Sequence, residues 1–185
     1  MAVAPTGRTS EASAGRLQRR EETPPDGDFR FELFCRSRPN DEDFSFLPSD
    51  IRQTLLRQQF LAQDAGYRAD FPNARFEIIE CDGQSVGRVV TVALPDALFV
   101  LDVAILPDWQ GRGIGATILR EICASAGRDG LAARLDVLVS NAQALRLFRR
   151  LGFEPVARSE VFMTLESSPV RASETKDAAG MRLSS

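Results

Sequence analysis

The segment from Leu98 to Ala126 constrains the fold more than any other. A β-branched, apolar run, Leu98 to Leu106, precedes Gln110-Gly111-Arg112-Gly113-Ile114-Gly115, and an amphipathic run, Ile114 to Ala126, follows it. A glycine-rich turn that leaves a buried strand and opens a helix belongs to an α/β architecture. It also has a chemical use. The first N–H groups of a helix have no partner within it, and the helix dipole adds positive potential there. Glycines let the main chain approach an anion closely and adopt φ > 0. Such a turn is a phosphate cradle, and Arg112 adds a permanent charge to it.

Two glycine codes fit this turn poorly. A Walker A loop ends in Gly-Lys-Ser/Thr, which is absent here. The dinucleotide code G-x-G-x-x-G reads Gly111 and Gly113, but Ala116 stands at the third glycine. That code also needs an acidic residue roughly 20 positions on, at a strand end. Asp136 lies inside its strand.

The segment resembles the core of the GNAT superfamily, the acyl-CoA-dependent N-acyltransferases. The family signature Q/R-x-x-G-x-G/A after a strand is matched by Gln110-Gly111-Arg112-Gly113-Ile114-Gly115. Upstream, Val103-Ala104-Ile105-Leu106-Pro107 is similar to the family's fourth strand. Downstream, Asn141, Ala144, Phe148, Gly152 and Phe153 match its Asn-x-x-Ala-x-x-x-(aromatic)-x-x-x-Gly-Phe pattern. A weaker likeness to a bacterial branch of the family lies in Gln59-Phe60, Gln63, Tyr67 and Phe71-Pro72.

The resemblance implies an α/β fold with a mixed, mostly antiparallel central sheet and helices on both faces. It implies acetyl transfer from acetyl-CoA to an amine of a small molecule or peptide by direct attack, with no metal. The backbone from Gly111 to Gly115, including Gly113 and Ile114, would hold the pyrophosphate, with Gln110 and Arg112 beside it. The main chain of Val103, Ala104 and Ile105 would bind the pantetheine arm and polarise the thioester carbonyl. Asn141 would bond the pantetheine; it also reads as a helix N-cap. Many family members carry a tyrosine in the last helix that protonates the leaving thiolate. The spacing to Gly152-Phe153 puts Phe148 there, which packs but gives no proton. A non-catalytic acyl-CoA-binding domain is therefore the alternative.

For the base, Asp102 stands out as the only charged residue in its apolar strand, where burial would raise its pKa. It reads equally as the structural partner of a neighbouring arginine. Glu77, Glu80 and Asp136 sit on half-exposed strand faces and are weaker candidates.

Composition narrows the rest. A chain of 185 residues is enough for one domain with a sizeable core. The net charge of −3 offers no general attraction for nucleic acid. With no histidine and with Cys35, Cys81 and Cys123 far apart, a zinc site is not expected, and reduced thiols suit a cytoplasmic protein. No apolar run approaches the roughly 18 residues of a membrane span.

In chain order, residues 1–28 and 167–185 read as disordered tails flanking a domain over 29–166, with a short helix as an option around Arg16 to Glu22. Phe29 to Arg36 alternates like a strand. Ser37 to Pro48 is a polar loop, and Ser49 caps a helix from Asp50 to Gly66. Arg52, Gln59 and Gln63 form a polar seam inside that helix's apolar face, with Tyr67 just beyond its end. The seam reads as an acceptor-binding wall or as a solvated groove. A hairpin turns at Asp82-Gly83. Strand Ala97 to Leu106, a helix to about Gly127, strand Ala133 to Ser140, helix Ala142 to Leu151 and a hairpin to Leu165 complete the reading. An exposed last strand would permit a homodimer.

Overall fold

The computed structural model describes residues 15–37 and 46–167. Seven strands form one sheet: β1 (Leu17–Glu21), β2 (Arg75–Cys81), β3 (Gln84–Ala93), β4 (Ala97–Ile105), β5 (Ala132–Leu138), β6 (Phe153–Arg158) and β7 (Phe162–Ser167), in the order β1-β2-β3-β4-β5-β7-β6. The helices are α1 (Gly27–Arg36), α2 (Ser49–Asp70), α3 (Ile114–Arg128) and α4 (Ala142–Arg150). β1 with β2, β5 with β7 and β6 with β7 are antiparallel, and β4 with β5 is parallel. The expected mixed, mostly antiparallel sheet is found. The described residues divide into two compact units, one of 15–37, 46–90 and 102–115, the other of 91–101 and 116–167.

The first unit differs from the sequence reading at its start. The segment read as part of a disordered tail holds β1, a 3-10 turn at Pro24–Asp26 and the first residues of α1. β1 is almost wholly polar, and cross-strand charges hold it to β2: Arg19 meets Glu77 at 3.0 Å and Arg20 meets Glu80 at 2.6 Å. The segment offered as an optional helix is thus a strand. Phe29 to Arg36, expected as a strand, is helical, because Phe31, Phe34 and Cys35 also recur at helical spacing. They pack with Leu56 and Phe60 of α2, and the rings of Phe31 and Phe34 lie 5.6 and 5.5 Å from that of Phe60. The expected disorder of residues 1–14 and 168–185, and most of the loop read from Ser37 to Pro48, lie outside the described residues.

α2 is capped at Pro48 rather than Ser49 and runs through Gly66 to Asp70, stopping two residues before Pro72. Tyr67 therefore lies within the helix, one turn from Gln63. The Asp82-Gly83 turn holds as read: both residues have positive φ, 52° and 78°, as a type I′ hairpin turn requires. β3 is buried from Val86 to Val92, and Gly87 has a steric reason to lack a side chain. A Cβ there would stand 2.5 Å from the Ala104 carbonyl oxygen of β4.

The second unit is closer to expectation. Ile118, Leu119 and Ile122 of α3, with Leu135, Phe153 and Leu165, are almost completely buried. Burial of such a side chain contributes roughly 1.5–3 kcal/mol. Gly130, at φ 72°, lets the Leu131 N–H reach back to the Ala126 carbonyl and close α3. β6 is mostly exposed and lies at the sheet edge, with a register shift between Pro155 and Ala157 that blunts it. No helix of the described residues is long and apolar enough to cross a membrane.

Candidate active site

β4 delivers the chain to the glycine turn through a 3-10 turn at Pro107–Trp109, and α3 starts at Ile114. Gly111 and Gly113 have φ of 74° and 81°, and nothing lies within 4 Å of where a Cβ would be. Packing does not demand glycine at either position; the backbone conformation does. Gln110, Gly111, Arg112 and Gly113 are exposed, while Ile114 is buried and anchors the helix start, with Gly115 half-buried. The result is open main chain leading into a helix N-terminus, the arrangement that accepts an anion.

The two polar side chains of the loop have specific partners. Gln110 donates from Nε2 to the Ile105 carbonyl at 2.9 Å, tying the loop to the end of β4. Arg112 lies over the Trp109 ring at 4.6 Å, so its charge stays on the exposed loop. The Ile105 carbonyl is thus occupied by this chain's own Gln110. Val103, Ala104 and Ile105 are all half-buried.

Asp102 lies on the same strand with 30% of its side chain exposed. Burial pushes its carboxyl above the usual carboxylate range; the Arg88 charge and the Val103 N–H pull it back. Arg88 Nη1 stands 4.0 Å from the carboxylate. Both sequence readings of Asp102 therefore meet here: it is a half-open carboxylate and it faces an arginine. Tyr67 joins this group. Gln63 donates to its hydroxyl at 3.2 Å. Burial and the Asp102 charge push the phenol up, opposed by the Gln63 bond and by Arg88. A phenol held in its neutral form within the field of a carboxylate puts a proton donor and a base in one electrostatic group.

The polar seam of α2 is spread along the helix. Gln63 bonds Tyr67, whose phenol feels the Asp102 charge, while Arg52 lies 15 residues before Tyr67, about 22 Å along the helix at 1.5 Å per residue. Gln59 is half-buried about two turns from Tyr67. The weaker base candidates are engaged: Glu77 with Arg19, Glu80 with Arg20 and Gln18, and Asp136 with the Thr164 hydroxyl at 2.6 Å.

In the second unit, Asn141 caps α4: its Oδ1 accepts the Ala144 N–H at 3.0 Å. Phe148 is 6% exposed and packs edge-on against Phe153, with centroids 5.7 Å apart.

Sequence reasoning missed Arg88 and the ions around it. Arg88 is 6% exposed on β3. Its Nε donates to Glu22 and its Nη2 to Asp64, each at 2.9 Å. Arg30 reaches both acids, at 2.6 and 3.0 Å, and Arg68 also pairs with both. Burial alone would push the Asp64 carboxyl up, but Arg68, Arg30 and Arg88 hold it below its usual value. A signal was available: Arg88 is the lone charge in the run Val86 to Val92, as Asp102 is in its own strand.

The sequence model of the Acetyltransferase (GNAT) family matches residues 35–153. The putative ribosomal protein bS18-alanine N-acetyltransferase of Bacillus subtilis (strain 168) is 31% identical over 87 residues, 45% of this chain and 56% of that protein. The ribosomal protein bS18-alanine N-acetyltransferase of Escherichia coli (strain K12) is 29% identical over 87 residues, 46% and 59% of the two chains. The thialysine N-epsilon-acetyltransferase of Mus musculus is 27% identical over 99 residues, 48% and 58%. The chain spans less than two thirds of the length of these relatives. Among solved structures, the PaiA N-acetyltransferase of Thermoplasma acidophilum, in complex with coenzyme A, superposes with a TM-score of 0.63 at 15% identity, covering 83% of this chain and 99% of that one. The ribosomal-protein-S18-alanine N-acetyltransferase of Escherichia coli gives 0.60 at 18% identity, covering 86% and 98%. At such identities the structural likeness speaks for the fold. The family match takes in more than half of the sequence and includes the glycine turn, and on that ground the chain belongs to the GNAT family of acetyltransferases.

Proposed function

We propose that the protein is an acetyl-CoA-dependent N-acetyltransferase whose acceptor is an amine of a small molecule or peptide. The observation that carries this reading is the glycine turn. Gly111 and Gly113 hold left-handed backbone over open space at the start of α3, which fits a pyrophosphate and serves no packing purpose. Acetyl-CoA, when bound, supplies an activated acetyl group and a good leaving thiol. This chain's residues would do the rest. The turn from Gly111 to Gly115 binds the phosphates, with Arg112 adding charge, while Gln110 keeps the loop on β4. The main chain of Val103 and Ala104 orients the acyl arm. Asp102 takes the proton of the incoming ammonium, and Gln63 with Tyr67 borders the acceptor. Relatives that act on a ribosomal-protein alanine and on thialysine support both a peptide and a small-molecule amine as acceptors. Asn141 and Phe148 are assigned to the pantetheine side on the motif alone, and three cysteines far apart in the sequence support a cytoplasmic setting.

A second reading, a non-catalytic acyl-CoA-binding domain, is favoured by Phe148, a buried hydrocarbon at the usual position of the acid. A thermal-shift titration with acetyl-CoA, CoA and NAD tests the cradle. A ligand at 100 times its Kd adds about 2.7 kcal/mol, so the first two should raise the midpoint and NAD should not. Release of free CoA with a panel of peptide and small amines then separates enzyme from binder. No shift with either CoA form would sink both readings.

A further inference from the structure

Arg88 is held by three elements besides its own strand. Glu22, the residue after β1, takes its Nε, and Asp64 of α2 takes its Nη2. The Phe76 ring of β2 lies 5.4 Å from the guanidinium. Arg30 of α1 and Arg68 of α2 complete the cluster through the same two acids. Three guanidinium groups against two carboxylates leave one positive charge in excess. The remaining nitrogen of Arg88, Nη1, points that excess at Asp102, 4.0 Å away. The Asp102 charge also reaches Tyr67 of α2, and the Val103 N–H bonds the carboxylate from β4 itself.

We propose that Arg88 is a positioning residue for Asp102: locked by Glu22 and Asp64, it fixes the charge and the direction of that carboxylate. The inference rests on the reading of Asp102 as the base. A carboxylate driven toward its neutral form by burial cannot accept a proton, and an adjacent cation opposes that drive. The cation is itself moderated, because Glu22 and Asp64 spend part of its field. β1, a polar strand at the sheet edge, thereby acts on the candidate base through a buried ion cluster.

The test reads Asp102 directly. In full-length protein carrying 13C-carboxyl aspartate, the Asp102 resonance is assigned by its loss in Asp102→Asn and titrated with pH. Arg88→Gln should raise its midpoint by about one pH unit, the low end of the effect of an opposite charge at this range. Arg88→Lys, which keeps the charge without the fork, should recover most of that rise. Glu22→Gln, which frees more of the Arg88 field, should lower the midpoint. A rise in Arg88→Gln with a fall in Glu22→Gln supports the proposal; any other pattern, including no movement, overturns it. If Arg88→Gln does not fold, Glu22→Gln decides alone, with a fall in support and constancy or a rise against. Turnover of Asp102→Asn is a separate reading: unimpaired turnover defeats Asp102 as base without altering the titration result.

Discussion

Replacing Gly87 with alanine should damage the protein although the residue has an ordinary backbone conformation. The new Cβ would meet Ile105 Cδ1 at 2.6 Å and Ile79 Cδ1 at 3.3 Å, and both are ends of flexible side chains that can turn away. It would also meet the Ala104 carbonyl oxygen at 2.5 Å, which can reach the 3.4 Å of ordinary contact only if β3 and β4 part locally by about 0.9 Å. Overpacking of this kind costs roughly 1–3 kcal/mol. Loss of glycine's freedom in the unfolded chain returns about 0.4–1 kcal/mol. A net loss of about 1–2 kcal/mol should lower Tm by roughly 2–8 °C in a chain of this size. Gly66→Ala is the control, since it sits inside α2 with nothing within 4 Å of its Cβ, and it should leave Tm unchanged or raise it. The displaced backbone is the proposed seat of the acyl arm, so acetyl-CoA affinity should fall for Gly87→Ala alone. Differential scanning fluorimetry of both variants, with and without acetyl-CoA, gives all four values. A Gly87→Ala protein as stable as wild type would refute the close approach of β3 and β4 and the steric argument with it.

Asp102→Asn should reduce turnover by about 10²–10⁴, the usual worth of a general base, at undiminished Tm, measured by CoA release. Gly113→Ala meets no clash but must hold φ of 81°, at a strain of roughly 1–2 kcal/mol; calorimetry should find acetyl-CoA binding weakened about tenfold. Asn141→Ala removes the bond to the Ala144 N–H and should cost about 1 kcal/mol in urea unfolding. Acid should unfold the protein through Asp26 and Asp64. The two hydrogen bonds from Arg20 hold Asp26 well below the carboxylate range despite its burial, and Asp64 is held below it by Arg68, Arg30 and Arg88. Groups depressed on folding stabilise above their unfolded pKa, about 3.9, and that stability is lost as pH falls. Asp102, raised on folding, contributes with the opposite sign, so stability in Asp102→Asn should fall more steeply with acid than in wild type.

What could be read from the chain was what neighbours in sequence decide. The glycine turn, the Asp82-Gly83 hairpin, the apolar spacing of α3 and the Asn141 cap are each set by a few adjacent residues, whose backbone preferences and hydrogen bonds need no distant partner. Asp102 stood out for the same reason, as one charge in an apolar strand. Periodicity failed where two periods coexist. Phe29, Phe31, Leu33 and Cys35 alternate, yet Phe31, Phe34 and Cys35 also fit a helix, and the choice fell to Phe60 of α2, whose ring meets two of them.

Composition failed at β1. Leu17 to Glu21 has too little apolar surface to order itself, so it reads as a tail. It is ordered by the backbone and carboxylates of β2, about 60 residues away, an attraction that exists only once both strands share a sheet. The sequence by itself determined the family, the glycine turn and the other local turns, because those rest on short-range geometry. Only the tertiary structure decided that Tyr67 of α2 lies in the field of Asp102, and that Glu22, Asp64 and Arg88 converge in one ion cluster. Electrostatic fields act through space, and the spacing of residues along a chain carries no measure of that distance.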